Sequence, residues 1–395
     1  MKSKSKKPDT LITHAGRKPE ENFGVVNPPV YHASTILHPN MAHWEAAEAK
    51  RFDDVVYGRF GTPTSFALEE AMAAVEGGAR AVAVGSGVSA CVAALLAYLK
   101  AGDHVLVPDN VYGPVRQFTT GFLARFGVAY DFYDPIVGAG IAALLRPNTK
   151  VIYLESPGSL TFEVQDVPAI VAVAKAHGLT TMIDNTWGSP LFLRPLTMGV
   201  DVSIVSATKY IVGHSDAMMG VCVCTKDSFA PVKTSALQLG YHAAPDDAYL
   251  ALRGLRTVGV RMRAHERAAL KVAHWLKARP EVERVLHPAL PDCPGHEFWK
   301  RDFTGSCGLF SIVLRRGIPK PAIDAMLDGM ELFGLGASWG GFESLITAPR
   351  PERIRTATKW DAGPVLRLHV GLEDTDDLIA DLDAGFARLN AKRAG

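Results

Sequence analysis

From residue 64 onward, short apolar runs alternate with segments of helical periodicity. Residues 66–75 put Leu68, Met72 and Val75 on one face, which predicts a helix; Gly77-Gly78 stops it. A strand follows at 81–84, then a turn at Gly85-Ser86-Gly87 and a helix over 89–98 closed by Gly102. Further strands are predicted at 104–108, 129–133, 150–154, 181–184 and 202–206, with helices over 115–125 and 167–177. Strands alternating with helices in this way signal an α/β domain, its mostly parallel sheet covered on both faces. In such sheets the loops at the carboxyl ends of the strands carry the ligand site.

The two ends of the chain differ from this middle. Residues 1–60 show little periodicity, are punctuated by Pro28, Pro29 and Pro39, and read as an extended arm packed on a neighbouring subunit. Residues 246–278 read as one long or slightly broken helix leading to a smaller domain. There, strands at 308–314 and 365–370 and helices at 321–327 and 377–389 predict an α+β fold. The expected division is an arm at 1–60, a large domain at 61–255 and a C-terminal α+β domain at 256–395.

Composition narrows the function classes. A chain of 395 residues, 48% hydrophobic and 21% charged, is ordinary for a globular protein of two or three domains. A net charge of +1 gives no electrostatic case for nucleic acid or an anionic membrane as partner. No run approaches the ~20 apolar residues that span a bilayer. The basic start MKSKSKKPDT lacks a following apolar run, so it reads as a solvated tail rather than a secretory signal. Cys222 and Cys224 lie on one face of an apolar run with no second pair to complete a metal site. The five cysteines read as buried, reduced thiols of a cytoplasmic protein, and no metal is expected.

Four strand ends carry candidate chemistry. The run Val202-Ser203-Ile204-Val205 delivers Lys209 from a buried strand, where desolvation would lower its pKa and free a nucleophilic amine; alternatively the strand ends there and the lysine reaches solvent. Gly85-Ser86-Gly87-Val88 opens a helix and offers backbone N–H groups to an anion. The same stretch meets a dinucleotide fingerprint, with Asp109 as the ribose acid, and is equally compatible with a plain tight turn. Asp184, at another strand end, is either a cap or the partner of a buried cation. Tyr112 is either an aromatic face for a ligand or ordinary loop packing. His214, Ser215 and Asp216 name a hydrolytic triad but stand too close in sequence to adopt its geometry. A phosphate cup, a carboxylate, a flat ring and a desolvated lysine at one sheet edge fit pyridoxal 5'-phosphate held as a Schiff base. A dinucleotide site would leave Asp184 and Lys209 together unexplained.

The stretch Ser206-Ala207-Thr208-Lys209-Tyr210-Ile211-Val212-Gly213-His214-Ser215-Asp216 resembles the lysine motif of the Cys/Met-metabolism family of pyridoxal-phosphate enzymes, of fold-type I. The resemblance runs from Tyr57-Gly58-Arg59 to Arg367-Leu368-His369. Glu155-Ser156-Pro157-Gly158-Ser159, Ile183-Asp184-Asn185-Thr186-Trp187 and Ser338-Trp339 are similar to its cystathionine β-lyase branch. Val88 stands where methionine is common, and Leu237 to Asp246 do not align with the family pattern. The resemblance implies a large domain with a seven-stranded sheet and a homo-oligomer, a tetramer built from two dimers that share active sites. It implies that Lys209 holds the cofactor and shuttles the α-proton, that Asp184 keeps the pyridine nitrogen protonated, and that Tyr112 stacks on the ring. Gly87, Val88, Ser206 and Thr208 would bind the phosphate. Tyr57 and Arg59 would reach the phosphate or substrate of a neighbouring subunit, and Tyr57 and Tyr112 would join Lys209 in catalysis. Arg367 would clamp the α-carboxylate of an amino-acid thioether, with Ser338 and Trp339 lining its pocket. The implied activity is carbon–sulfur β-lysis of cystathionine in methionine biosynthesis. The alternatives are a γ-synthase, a γ-lyase such as a methionine γ-lyase, and a broader cysteine-S-conjugate β-lyase.

Overall fold

A computed structural model describes residues 6–394. The first half of the basic tail expected at the start lies outside those residues. The following arm is not wholly extended. It contains α1 (Pro8–His14) and α2 (Met41–Ala49), the second capped by the Asn40 side chain, which accepts from His43 N. Both helices are too short for periodicity to reveal. Between and around them the arm runs irregularly and leaves Phe23, Leu37 and Met41 exposed.

The expected seven-stranded sheet is present. Its strands are β1 (Arg80–Val84), β2 (His104–Pro108), β3 (Ala129–Tyr133), β4 (Thr149–Glu155), β5 (Thr180–Asp184), β6 (Val202–Ser206) and β7 (Gly220–Cys224). They lie in the order β1-β7-β6-β5-β4-β2-β3. Only β7 runs against its neighbours, so the other six present their carboxyl ends at one edge. Alternation assigns the two faces: Ala81 and Ala83 of β1 join one apolar core, while Val82 and Val84 join the other.

Helices cover both faces. The first core takes α3 (Pro63–Glu76), and the second takes α4 (Gly87–Leu96). α5 (Gly113–Gln117) runs into a π-helical turn at Phe118–Leu123, which together replace the single helix predicted over 115–125. α6 (Val167–Ala176), the short α7 (Ser189–Phe192), α8 (Lys226–Gln238) and α9 (Pro245–Leu255) complete the layers. The segment 237–246 closes α8, turns at Gly240 and opens α9. The helix predicted over 246–278 is two helices, because the chain breaks at Arg256-Thr257 before α10 (Val258–Lys277).

A second sheet follows. It comprises β8 (Val282–Leu286), β9 (Leu309–Leu314), β10 (Gly334–Leu335), β11 (Leu345–Thr347) and β12 (Val365–His369), ordered β10-β11-β12-β9-β8. α11 (His296–Asp302) lies outside it, whereas α12 (Lys320–Leu327) and α13 (Thr375–Ala394) pack on it with α10.

The edge strand β1 carries the Gly85–Gly87 turn, and a buried ion pair supports it. Lys233 Nζ of α8 lies 3.1 Å from Glu69 Oε1 of α3, and the same oxygen accepts from Ala83 N. Removing one partner of a buried pair strands the other charge. Lys233→Ala is therefore expected to lose about 3–5 kcal/mol of stability, read as a lower urea midpoint. An unchanged midpoint would remove this pair from the support of the edge.

Candidate active site

One cavity collects the carboxyl ends of β1, β2, β4, β5 and β6. Its lining includes Gly87, Val88, Tyr112, Glu155, Asp184, Ser206, Thr208 and Lys209, and the second sheet closes it with Trp339 and Arg367. Side chains spread over 280 residues of sequence thus meet because parallel strands end on the same side.

At the β1 end, Ser86 caps α4 by accepting from Ser89 N. Gly87 faces β6 so closely that an added Cβ would lie 2.5 Å from Ser206 Oγ. A helix N-terminus and a serine hydroxyl thereby meet over bare backbone, a suitable cradle for phosphate oxygens. The Thr208 hydroxyl is less free than the sequence suggests. It donates to Met219 O at 3.2 Å and accepts from Met219 N at 2.9 Å, which locks the turn after β6 onto the start of β7.

Lys209 begins the turn that follows. Arg261 of α10 fixes this turn by donating to Tyr210 O and Ile211 O. The lysine is half-buried, and its Nζ donates to Ser338 Oγ at 2.5 Å. Burial lowers its pKa from 10.5 to about 8; Arg367 pushes the same way and Asp184 opposes. Free amine is therefore available near neutral pH. The Trp339 ring centre lies 5.3 Å from Nζ. Arg367 donates to Ser338 O at 3.2 Å, so Ser338 touches both cations of the cavity.

Asp184 ends β5. Its Oδ1 accepts from Thr186 N at 2.9 Å and Thr186 Oγ1 at 2.5 Å. It caps the next turn, and it also lines the cavity. Burial raises its pKa, and its contacts with Thr186 and the charge of Lys209 do not fully offset that. A carboxylate in this state suits a cationic ring nitrogen. Tyr112 is 38% exposed and presents its ring to the cavity, while its backbone N donates to Glu155 Oε2 at 2.7 Å. Burial raises the phenol's pKa, so it stays protonated.

Within one chain the structure does not bring Tyr57 and Arg59 to this cavity. Tyr57 is 42% exposed, and Arg59 donates to Leu237 O in a separate pocket with Tyr241 and His242. Asp109 is not a ribose acid. Its carboxylate is filled by Arg116 and by the backbone of Thr356, Ala357 and Thr358. The reading of Glu155 as a branch signature alone missed its place in the site: it pairs in register with Asp184, and burial raises its pKa well above the usual range. The signal was available, since Glu155, like Asp184, is an acid at the end of an apolar strand. Thr186 was missed as well; its hydroxyl accepts from Ser206 N and ties the ends of β5 and β6 together.

The residues present fit pyridoxal phosphate: a phosphate cradle, a buried carboxylate, a flat ring and a lysine of lowered pKa line one cavity. In the cofactor-free protein, acylation of Lys209 is expected to rise with pH through a midpoint near 8. Peptide mapping after brief treatment with acetic anhydride reads it. Arg367→Ala should move that midpoint upward, because a like charge is removed. A midpoint near 10.5 in the wild type would contradict the desolvated geometry.

A family model described as Cys/Met metabolism PLP-dependent enzyme matches residues 9–387. The chain is 48% identical over 386 residues to a putative cystathionine beta-lyase of Rhizobium johnstonii, covering 97% of this chain and 96% of that protein. It is 47% identical over 391 residues to the cystathionine beta-lyase MetC of Escherichia coli, covering 97% and 99%. It is also 42% identical over 395 residues to an L-alanine/L-glutamate racemase of Wolbachia pipientis, covering 97% and 98%.

Proposed function

The chain belongs to the Cys/Met metabolism PLP-dependent enzymes, and from that membership we propose that it is a carbon–sulfur lyase that cleaves L-cystathionine. The products are homocysteine, pyruvate and ammonia, with water consumed, which places the reaction in methionine biosynthesis. The observation that carries the reading is the pairing of Lys209, its pKa near 8, with Arg367 across one cavity. Such a pair receives an amino acid by its carboxylate and leaves an amine beside the α-carbon.

Pyridoxal phosphate, when bound, supplies the electron sink for the carbanion. The chain's own residues do the rest. Gly87, Val88, Ser206 and Thr208 would hold the phosphate. Asp184 keeps a proton on the ring nitrogen, and Tyr112 covers the ring face. Arg367 fixes the substrate carboxylate through a planar guanidinium. Lys209 Nζ, oriented by Ser338 Oγ, takes the α-proton and returns a proton to the departing sulfur side. Trp339 forms the wall that limits the side chain beyond sulfur.

Tyr57 and Arg59 belong to this site only through a second copy of the chain. The exposed apolar residues of the arm, Phe23, Leu37, Met41 and Trp44 among them, suit burial against such a copy. A homo-oligomer, a tetramer assembled from site-sharing dimers, completes the machinery. The division into an arm at 1–60, a cofactor domain at 61–255 and a C-terminal domain at 256–395 follows the same logic. No helix among the described residues is long and apolar enough to cross a membrane. Five free, buried cysteines suit the reducing cytoplasm.

The racemase relative supports a second reading, since racemisation and β-lysis share removal of the α-proton. Product analysis separates them. Pyruvate from cystathionine is expected; loss of optical activity from alanine or glutamate without pyruvate from cystathionine would favour racemisation, and 2-oxobutyrate would favour γ-chemistry. Lys209→Ala should abolish turnover and borohydride-fixed cofactor together; fixation in that variant would assign the cofactor to another lysine. Arg367→Ala is expected to cost about 2–5 kcal/mol in specificity constant, because the substrate carboxylate loses its partner. An unchanged kcat/KM would remove Arg367 from the site.

A further inference from the structure

Asp109 is the strand-end acid that the proposed chemistry leaves unused. It directly follows β2, three residues before Tyr112, and is completely buried. Its carboxylate accepts from Thr356 N at 3.0 Å, Ala357 N at 2.9 Å and Thr358 N at 2.8 Å, and from the hydroxyls of Thr356 and Thr358 at 3.2 Å. Arg116 Nη2 adds a charged bond at 2.5 Å, and its guanidinium lies 3.6 Å from the centre of the Phe132 ring. A carboxylate has about four acceptor sites, so this one is saturated. Burial alone would raise its pKa, but the backbone donors and Arg116 outweigh burial and hold it below the usual range.

The donors come from the chain between β11 and β12 of the second sheet. That stretch has one short 3-10 turn at Pro351–Arg353 and no sheet partner. Its three successive N–H groups converge on Asp109, an anion-holding nest turned inward. Next to it, Arg355 donates to Glu163 and to Thr161 Oγ1, and Glu163 also accepts from Asn110 Nδ2 at 2.9 Å. Asn110 O accepts from Ser159 N at 2.8 Å, and an added Cβ on Gly158 would meet Asn110 Nδ2 at 1.9 Å. The loop 109–112 is therefore held on one side by 355–358 and on the other by the 157–160 wall of the cavity. Tyr112 is the end of that loop.

We propose that Asp109 is a positioning residue: it clasps the 355–358 segment to the large sheet and thereby fixes the Tyr112 ring and the 157–160 wall over the cavity. The proposal rests on the reading of that cavity as the cofactor site. Thr356 and Ala357 are exposed, so water replaces Asp109 as their partner once the clasp is lost. The segment then opens rather than unfolding the core. Arg353, Arg355 and Lys359 make it a substrate for trypsin in that state.

The test compares Asp109→Asn and Arg355→Gln with wild type. In cofactor-free protein, tryptic cleavage between 353 and 360 should rise at least tenfold in Asp109→Asn. In Arg355→Gln it should rise at the two remaining sites. In protein loaded with pyridoxal phosphate, the visible circular dichroism of the cofactor should fall in both variants, with kcat falling more than KM rises. Unchanged proteolysis in both variants overturns the clasp. Faster proteolysis with unchanged dichroism and kcat overturns the positioning role. Arg355→Gln removes a different contact of the same segment, the ion pair with Glu163, and its amide can still donate to Thr161 and Glu163, which keeps the test decisive if Asp109→Asn does not fold. Failure of wild type to bind pyridoxal phosphate would overturn the cofactor reading instead, while proteolysis would still report on the clasp.

Discussion

Lys209, Arg367, Asp184 and Glu155 reach a single cavity from four different strands, and burial acts against the charged form of each. Taking charge out of water is costly unless partners repay it. Protein partners do so only in part: Thr186 for Asp184, Tyr112 N for Glu155, Ser338 for the two cations. The cavity is thus electrostatically unfinished. A ligand bringing a phosphate, a ring nitrogen that takes a proton and an α-carboxylate completes it group by group. The same desolvation brings the lysine's pKa to about 8, where its amine can move protons.

Keeping such groups in place requires rigid strand ends, and the supports lie under the sheet. Glu76, at the end of α3, is fully buried, and burial pushes its pKa up to about 7. Its Oε1 accepts from Asn185 Nδ2 and Ser203 Oγ, so one carboxyl group pins the residue after Asp184 and the middle of β6. Thr186 joins the same two strand ends from above. On the far side of Lys209, the buried rings of Tyr210, His265 and His369 pack together, and His369 Nε2 donates to Gly341 O beneath the Trp339 loop.

The parts of this arrangement visible in the sequence are those that depend on local pattern. The bounds of β2 and β6 match the expectation because each is a short, mostly apolar, buried run in a covered sheet, followed by polar residues. Lys209, Asp184 and Tyr112 were legible because each follows such a run. What escaped depends on distant partners. β10 has two residues and β11 three, and only their neighbours make them strands. α8 carries Pro231 inside it, a helix held by packing against propensity. Asp109 looked like a ligand acid because, Arg116 apart, its donors lie some 247 residues away and include three backbone groups, which no side-chain pattern announces. Tyr57 and Arg59 stand out as a motif, yet a single chain gives them no site.

The Trp339 wall of the cavity and the Lys209 amine are not independent. Ser338 sits at φ +84°, in the left-handed region that disfavours a side chain, and Gly340 follows at φ +89°. An added Cβ on Gly340 would lie 2.9–3.0 Å from the carbonyl carbon and Cα of Lys209. The loop carrying Trp339 is therefore pressed against the backbone of the lysine, and strain of this kind persists only where surrounding contacts overdetermine it. Ser338 Oγ orients Nζ while Ser338 O holds Arg367. A change at Trp339 that reshapes the loop must then move the hydrogen bond to Nζ and the hydrogen bond that seats Arg367 together. The shape of this wall and the orientation of Nζ are set by the same few residues, so reshaping the wall without moving the amine requires that the backbone from 338 to 340 stay where Lys209 now holds it.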